Sequence, residues 1–150
     1  MSVIINIKNR KASYSYQLIE KYTAGIVLLG TEIKSIRNNQ ANISDAHCIY
    51  IDNEMWVKNL HIDEYSNGGY KNHEPKRARK LLLNKIELSK IEAKVNEKGM
   101  SVIPLRLFSN EKGKIKLEIS LAKGKKNFDK RESIKEKDIK RDIQRLTKLK

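Results

Sequence analysis

Apolar and polar residues alternate with a period near two over much of this 150-residue chain, and a helical spacing replaces it in a few short segments. Ile4, Ile5 and Ile7 predict a short first strand, followed by the basic segment Asn9-Arg10-Lys11. Tyr14, Tyr16, Leu18 and Tyr22 keep the strand period, and Gly25 predicts a bend into the apolar run at 26–29. The period then changes. Gly30-Thr31 reads as a helix start with Thr31 as N-cap, Ile33 and Ile36 as the apolar face, and Lys34 and Arg37 as the basic face. Residues 46–51 and 55–62 predict two strands joined by the turn Asp52-Asn53. Positions 63–74 are polar, contain Gly68-Gly69 and read as a loop that includes His73. Pro75 opens the basic stretch 76–80, which runs into Leu81-Leu82-Leu83. Three adjacent leucines on a helix cannot all point inward, so Leu82 has both a core and a surface reading. Asn84 with Glu87 forms a capping-box pattern ahead of Leu88, Ile91 and Val95, and Gly99 is a natural stop. The strongest sheet signal comes last. Ile103, Leu105 and Leu107 alternate with Pro104, Arg106 and Phe108, and the proline requires an edge or a bulge. After the loop at 109–113, Ile115, Leu117, Ile119 and Leu121 alternate with polar residues, which predicts a hairpin with one dry face.

Several short strands punctuated by helices predict a mainly β fold with flanking helices. We expect an OB-fold-like closed antiparallel β-barrel over residues 1–122. Residues 123–150 differ in kind. They hold 12 Lys/Arg against 5 Asp/Glu, about half of the chain's net charge of +14. Their apolar residues are sparse, and Ile139, Ile143, Leu146 and Leu149 make a single helical stripe. Such a segment has too little to bury by itself, so it is expected to be a tail that is disordered alone and helical once docked.

The charge narrows the function. An excess of +14 favours a polyanionic partner, nucleic acid or an anionic membrane surface. The longest apolar run is far shorter than the roughly 20 residues of a spanning helix, and the N-terminus lacks a signal-peptide pattern. No membrane partner is therefore expected. The single cysteine, Cys48, fits a reducing cytoplasm and a small core position. His47, His61 and His73 lack ligand spacing with any cysteine, so neither a metal site nor a cofactor is expected. His47 and Cys48, as neighbours in a strand, point to opposite faces and cannot form a nucleophile–base pair. No phosphate-binding glycine motif is present, and the chain reads as a non-enzyme. Basic clusters at 9–11, 34–37, 76–80 and 123–131 supply phosphate contacts, and exposed rings supply stacking, which together suit backbone recognition of a structured RNA. A generic single-strand-binding barrel and a small nuclease are the competing readings.

Four segments in order carry a family resemblance: Asn9-Arg10-Lys11-Ala12; Ala24-Gly25-Ile26-Val27-Leu28 with Gly30-Thr31-Glu32-Ile33-Lys34-Ser35; Arg79-Lys80-Leu81-Leu82-Leu83; and Ala122-Lys123-Gly124-Lys125-Lys126 with Asp129-Lys130-Arg131. Ala41-Asn42-Ile43-Ser44-Asp45 and His73-Glu74-Pro75 also fit. The chain resembles the bacterial SsrA-binding protein (small protein B) family, the partner of transfer-messenger RNA, over about residues 6–137. The resemblance implies an oligonucleotide-binding-type barrel, a flexible tail and a role in trans-translation, the rescue of stalled ribosomes. It implies binding to the tRNA-like part of transfer-messenger RNA, with the tail entering the empty decoding site and mRNA channel. It implies RNA-facing roles for Asn9, Arg10, Lys11, Glu32, Lys34, Arg37, Asn42, Arg79, Lys80, Leu82 and Lys116. It also implies decoding-site roles for Lys123, Lys125, Lys126, Phe128, Asp129, Lys130 and Arg131, and the free protein is expected to be a monomer. Asn42 could equally shape a turn, and Glu32 could equally stabilise the N-terminus of its helix. Two positions depart from the family pattern: Thr23 stands where Glu is usual, and Phe128 where Tyr or His is usual.

Overall fold

The computed structural model describes residues 4–66 and 72–124. In chain order the elements are β1 (Asn6–Lys8), α1 (Ala12–Ser15), β2 (Tyr16–Ile26), α2 (Gly30–Arg37), β3 (Ala41–Asn42), β4 (His47–Ile51), β5 (Glu54–Lys58), β6 (His61–Ile62), β7 (Arg79–Leu82), α3 (Lys85–Lys98), β8 (Ser101–Ser109) and β9 (Ile115–Gly124). The protein is mainly β with a few helices, as the alternation predicts. The large sheet runs β1-β8-β4-β5-β7-β2-β9, and a further β8–β9 pairing closes the six strands from β8 to β9 into a circuit, with β1 added on the outside of β8. All its pairings are antiparallel. β3 and β6 form a separate two-stranded sheet.

The hairpins follow local chemistry. Asp52 and Asn53 take φ of 50° and 62°, the left-handed pair that a tight two-residue turn between β4 and β5 requires. Pro104 sits at a register shift in β8, where Pro104 pairs with Ile119 and Arg106 with Glu118, so the expected bulge is present. The carbonyls freed there are used: Asn9 donates its backbone N–H to Leu105 O at 2.7 Å and its side-chain amide to Pro104 O at 3.0 Å. α3 also has the predicted ends. Asn84 Oδ1 accepts the Glu87 N–H at 2.8 Å, Glu87 returns the bond to Asn84 N–H at 3.3 Å, and Gly99 is left-handed at φ 62°.

One apolar cluster gathers Met55, Val57, Leu81, Leu107, Leu117, Ile119 and Leu121 from the strands with Ile36 from α2 and Ile91 from α3. Each such side chain stabilises the fold by about 1.5–3 kcal/mol through burial. A second, smaller cluster, Ala12, Ile103, Leu105 and Ala122, lies under α1. The first half of the β8–β9 hairpin is therefore dry on both faces, not on one.

Four local expectations are corrected. The strand pattern beginning at Tyr14 starts only at Tyr16, because the preceding residues form α1 to cover the second cluster. Gly25 is no bend: β2 continues through it to Ile26. The stretch 55–62 is not one strand. Asn59, an amide residue that tolerates the left-handed region, takes φ 60° and turns the chain, so β6 leaves the main sheet to pair with β3. The leucine run is a strand, not a helix, and period two buries Leu81 (2 % exposed) while Leu82 faces out.

Lys123 and Gly124 belong to β9, paired with Gln17 and Tyr16. Lys125, Lys126, Phe128, Asp129, Lys130 and Arg131 lie outside the described residues, as does the rest of the expected tail.

Candidate nucleic-acid interface

α2 divides the expected site residues into an inner and an outer set. Its N-cap is Leu29, not Thr31, and Glu32 at the third helical position accepts the Leu29 N–H at 2.8 Å. Thr31 is engaged elsewhere: His73 Nδ1 lies 2.9 Å from Thr31 Oγ1, and Nε2 lies 2.9 Å from Ile62 O. The carbonyl can only accept, so Nε2 donates to it, while the Thr31 hydroxyl, which can donate or accept, meets Nδ1. His73 is a loop residue, as expected, but a buried one that fastens its loop to α2 and β6.

Glu32 and Arg79, expected to face RNA, are inside the protein. Both side chains have 0 % exposure, so neither has surface to offer a partner. Glu32 Oε2 meets the Arg79 guanidinium, and Oε1 accepts from Arg77 Nη2 at 2.6 Å. Arg79 also donates through Nη1 to Leu60 O at 2.5 Å and through Nη2 to Pro75 O at 3.1 Å. One guanidinium thus ties α2, the β5–β6 link and the segment leading into β7. Burial alone would raise the Glu32 carboxyl. The Arg77 and Leu29 hydrogen bonds and the Arg79 charge outweigh it and hold the pKa below its ordinary value of 4.5.

The outer set converges. Lys34 and Arg37 are exposed on α2, and the Lys34 ammonium lies 5.3 Å from the centre of the Tyr65 ring. Arg37, Leu82 and Lys116 line one surface groove of about 410 Å³, with Ile26, Leu28 and Ile33 as apolar lining and Lys114 beside Lys116. Strand register explains the convergence. Gly25 of β2 pairs with Lys116 of β9 on one side and with Leu82 of β7 on the other. Directly paired residues point to the same face, so Lys116 and Leu82 flank a position without a side chain. A Cβ on Gly25 would come within 3.1 Å of Leu82 Cβ. Leu82, 53 % exposed, is a surface residue of this groove rather than a core one. The same cross-strand row extends through Lys116 to Phe108.

The remaining expected residues are placed separately. Lys80 pairs with Glu54 at 2.8 Å. Asn42 accepts the Ser44 N–H at 2.8 Å, the turn-shaping role of a short amide side chain. Arg10 and Lys11 are exposed, and Lys11 shares a cleft with Asn9 and Gly124, where β9 ends. Tyr16↔Gly124 and Gly25↔Lys116 stand at opposite ends of the β2–β9 ladder. The nine residue steps of β2 from Tyr16 to Gly25 span roughly 30 Å at about 3.3 Å each. The chain therefore carries a cationic groove at one end of the ladder and a cationic root for the residues after Gly124 at the other. Thr23 is exposed and pairs directly with Glu118, so a carboxylate still occupies that row, supplied from the neighbouring strand.

Among the described residues no group of His, Cys, Asp and Glu could hold a metal ion, and no helix is long and apolar enough to cross a membrane. Cys48 is buried, which pushes its thiol pKa up and leaves it a core residue. Sequence reasoning missed Lys114, Arg106 and Phe108 as surface neighbours of Lys116. The alternation 103–108 carries the signal for the last two, since it puts Arg106 and Phe108 on the polar face.

A rigid β scaffold that displays cations around an apolar groove, with the helix cations braced from within, defines a polyanion-binding module. The family model for SmpB protein matches residues 6–149. The chain is 56 % identical over 144 residues to the SsrA-binding protein of Phocaeicola vulgatus, covering 96 % of each. It is 56 % identical over 142 residues to that of Cytophaga hutchinsonii, covering 95 % of this chain and 93 % of the relative. A solved structure described as "tmRNA-SmpB: a journey to the center of the bacterial ribosome" contains a chain that matches with a TM-score of 0.69 and 38 % identity, covering 89 % of this chain and 95 % of that one. The chain belongs to the SmpB protein family.

Proposed function

We propose that this protein binds the tRNA-like part of transfer-messenger RNA and carries it to stalled ribosomes in the cytoplasm for trans-translation, acting as an adaptor without a chemical step of its own. On this reading the closed strand circuit is an OB-fold-like barrel. The groove of Arg37, Leu82 and Lys116 grips folded RNA: the cations meet phosphates, and Leu82 packs against a sugar or base. Residues 125–150 then act as a separate probe of the empty decoding site and mRNA channel, and Lys123 marks their root.

The observation that carries the reading is the separation of two cationic regions by the length of the β2–β9 ladder, on a scaffold of this family. A protein that must hold one RNA while reaching into another site needs two such regions pointing apart. A generic single-strand binder would need only one continuous stripe.

Two measurements test it. RNA recovered from the natively purified protein and sequenced is expected to be dominated by a single species with a tRNA-like end; a broad mixture overturns the reading. Deleting residues 125–150 is expected to leave affinity for a tRNA-like RNA largely intact while abolishing ribosome rescue in a reconstituted assay. Loss of RNA binding in proportion to lost charge, with rescue retained, would support the generic binder instead.

A further inference from the structure

The tip of the β8–β9 hairpin holds an arrangement that the groove does not use. Asn110 organises the loop: its Oδ1 accepts the backbone N–H groups of Lys112 at 3.0 Å and Lys114 at 2.9 Å. Its own backbone N–H donates to Lys114 O at 2.8 Å, and Gly113 closes the turn at φ 79°. Lys112 and Lys114 are therefore exposed on a fixed tip. Behind them, Arg106 and Phe108 lie two apart on one strand and share a face. The Arg106 guanidinium carbon stands 4.2 Å from the centre of the Phe108 ring. Arg106 Nε donates to Glu118 Oε2 at 3.2 Å, across the directly paired position. The Nη groups have no hydrogen-bond partner among the described residues. Arg106, Phe108, Lys112, Lys114 and Lys116 border a shallow cleft of about 740 Å³ that adjoins the RNA groove through Lys114 and Lys116.

We propose that Arg106, backed by Phe108 and pinned by Glu118, is a stacking platform for one unpaired RNA base, with Lys112 and Lys114 holding the flanking phosphates. This rests on the reading of the protein as a binder of tRNA-like RNA and adds a base-contacting site to it. The guanidinium carbon stands over the Phe108 ring and Glu118 holds its Nε, so the group is fixed at two points while the Arg106 side chain keeps 37 % of its exposure. A site meant only for phosphate gains nothing from an adjacent carboxylate, which weakens the attraction. A flat, neutral ligand loses nothing by it, and guanidinium planes and aromatic rings accept unstacked bases. Paired bases cannot reach such a platform, so the ligand is a loop or bulge nucleotide.

The test uses the full chain and a transcribed tRNA-like domain of transfer-messenger RNA, with 2-aminopurine placed in turn at each unpaired loop position. With the unaltered protein, fluorescence at one position is expected to quench on binding. Arg106→Lys keeps the charge but not the plane. It is expected to abolish that quenching and weaken binding about tenfold to a hundredfold, in line with the 1–3 kcal/mol a stacked base contributes. The loss is expected to vanish on a matched RNA lacking the loop nucleotide. Phe108→Leu, which removes the backing without adding polarity, is expected to reduce the quenching. Melting curves and affinity for the loop-deleted RNA show that each variant is folded. If Arg106→Lys binds and quenches as the unaltered protein does, or weakens both RNAs equally, Arg106 is at most a point charge and the platform is overturned while the adaptor reading stands. If the unaltered protein shows no preference for the tRNA-like RNA over a single strand of equal length, both fall.

Discussion

Arg79 and Arg37 are both cations that the family resemblance assigns to RNA, yet the fold uses them in opposite ways. Arg79 is fully enclosed, paired with an equally enclosed Glu32 and donating to backbone carbonyls. Arg37, on the same helix as Glu32 and about one turn further on, is exposed at the rim of the groove. The difference teaches that the charge on this protein falls into two functional kinds. The inner pair is fully enclosed and ties α2 to β7. The outer cations and Leu82 are displayed at the groove, and on the function proposed above they are the groups that meet the RNA.

The largest expected effect comes from breaking the inner set. Arg79→Ala leaves Glu32 as an enclosed carboxylate with one partner fewer and Leu60 O without its donor. Loss of one partner of a buried pair costs about 3–5 kcal/mol. A urea titration followed by circular dichroism is expected to show that loss, and RNA affinity is expected to fall only as far as the folded fraction does. An Arg79→Ala protein as stable as the unaltered one would remove the distinction. Next in size are the outer residues. Arg37→Ala and Lys116→Ala are expected to leave stability within about 0.5 kcal/mol, as surface substitutions do. Each should weaken RNA binding and lower the slope of log affinity against log salt by about 1. If the slopes are unchanged, the groove is not a phosphate contact.

The pH dependence of stability separates the two sets again. The Glu32 carboxyl is held below its ordinary 4.5 in the folded protein, so its folded-state pKa is depressed relative to the unfolded chain. Its contribution is therefore fully present above about pH 4.5 and is lost as pH falls through the lower folded value. Glu32→Gln is expected to flatten the acid limb of a stability–pH curve, whereas Lys116→Ala leaves its shape alone. The smallest effect is expected from Gly25→Ala. The added Cβ would stand 3.1 Å from Leu82 Cβ and must push that exposed side chain by a few tenths of an ångström. Stability should hardly change, and RNA affinity should fall a few-fold by titration if the bare floor of the groove matters.

Much of the scaffold is legible in local residue chemistry. The Asn84–Glu87 box and Gly99 bound α3, Asp52-Asn53 turns β4 into β5, and Pro104 marks the bulge in β8. Each is a signal whose partners lie within a few residues. Where legibility failed, the deciding partner was distant. The leucine run at 81–83 suits helix or strand equally well by composition, and its pairing with Met55 and Ile26 settled the matter in favour of a strand. Thr31 looks like a cap until His73, 42 positions away, takes its hydroxyl. The capping role passes to Glu32, an alternative that the residue's place in the helix had already offered.

The site divides along the same line. That the protein is strongly basic, β-rich and built to meet a polyanion follows from the amino acids alone, because net charge and strand periodicity are sums and spacings along a chain. Which cation is buried and which is displayed does not follow from it, because Arg79 and Lys80 are neighbours of similar chemistry, and alternation about a closed sheet sends one inward and the other out. Only the register of β7, β2, β9 and β8 brings Leu82, Gly25, Lys116 and Phe108 into one row from four separated stretches of the chain. Hydrogen bonding between strands set that row, and no local pattern encodes a register between residues so far apart.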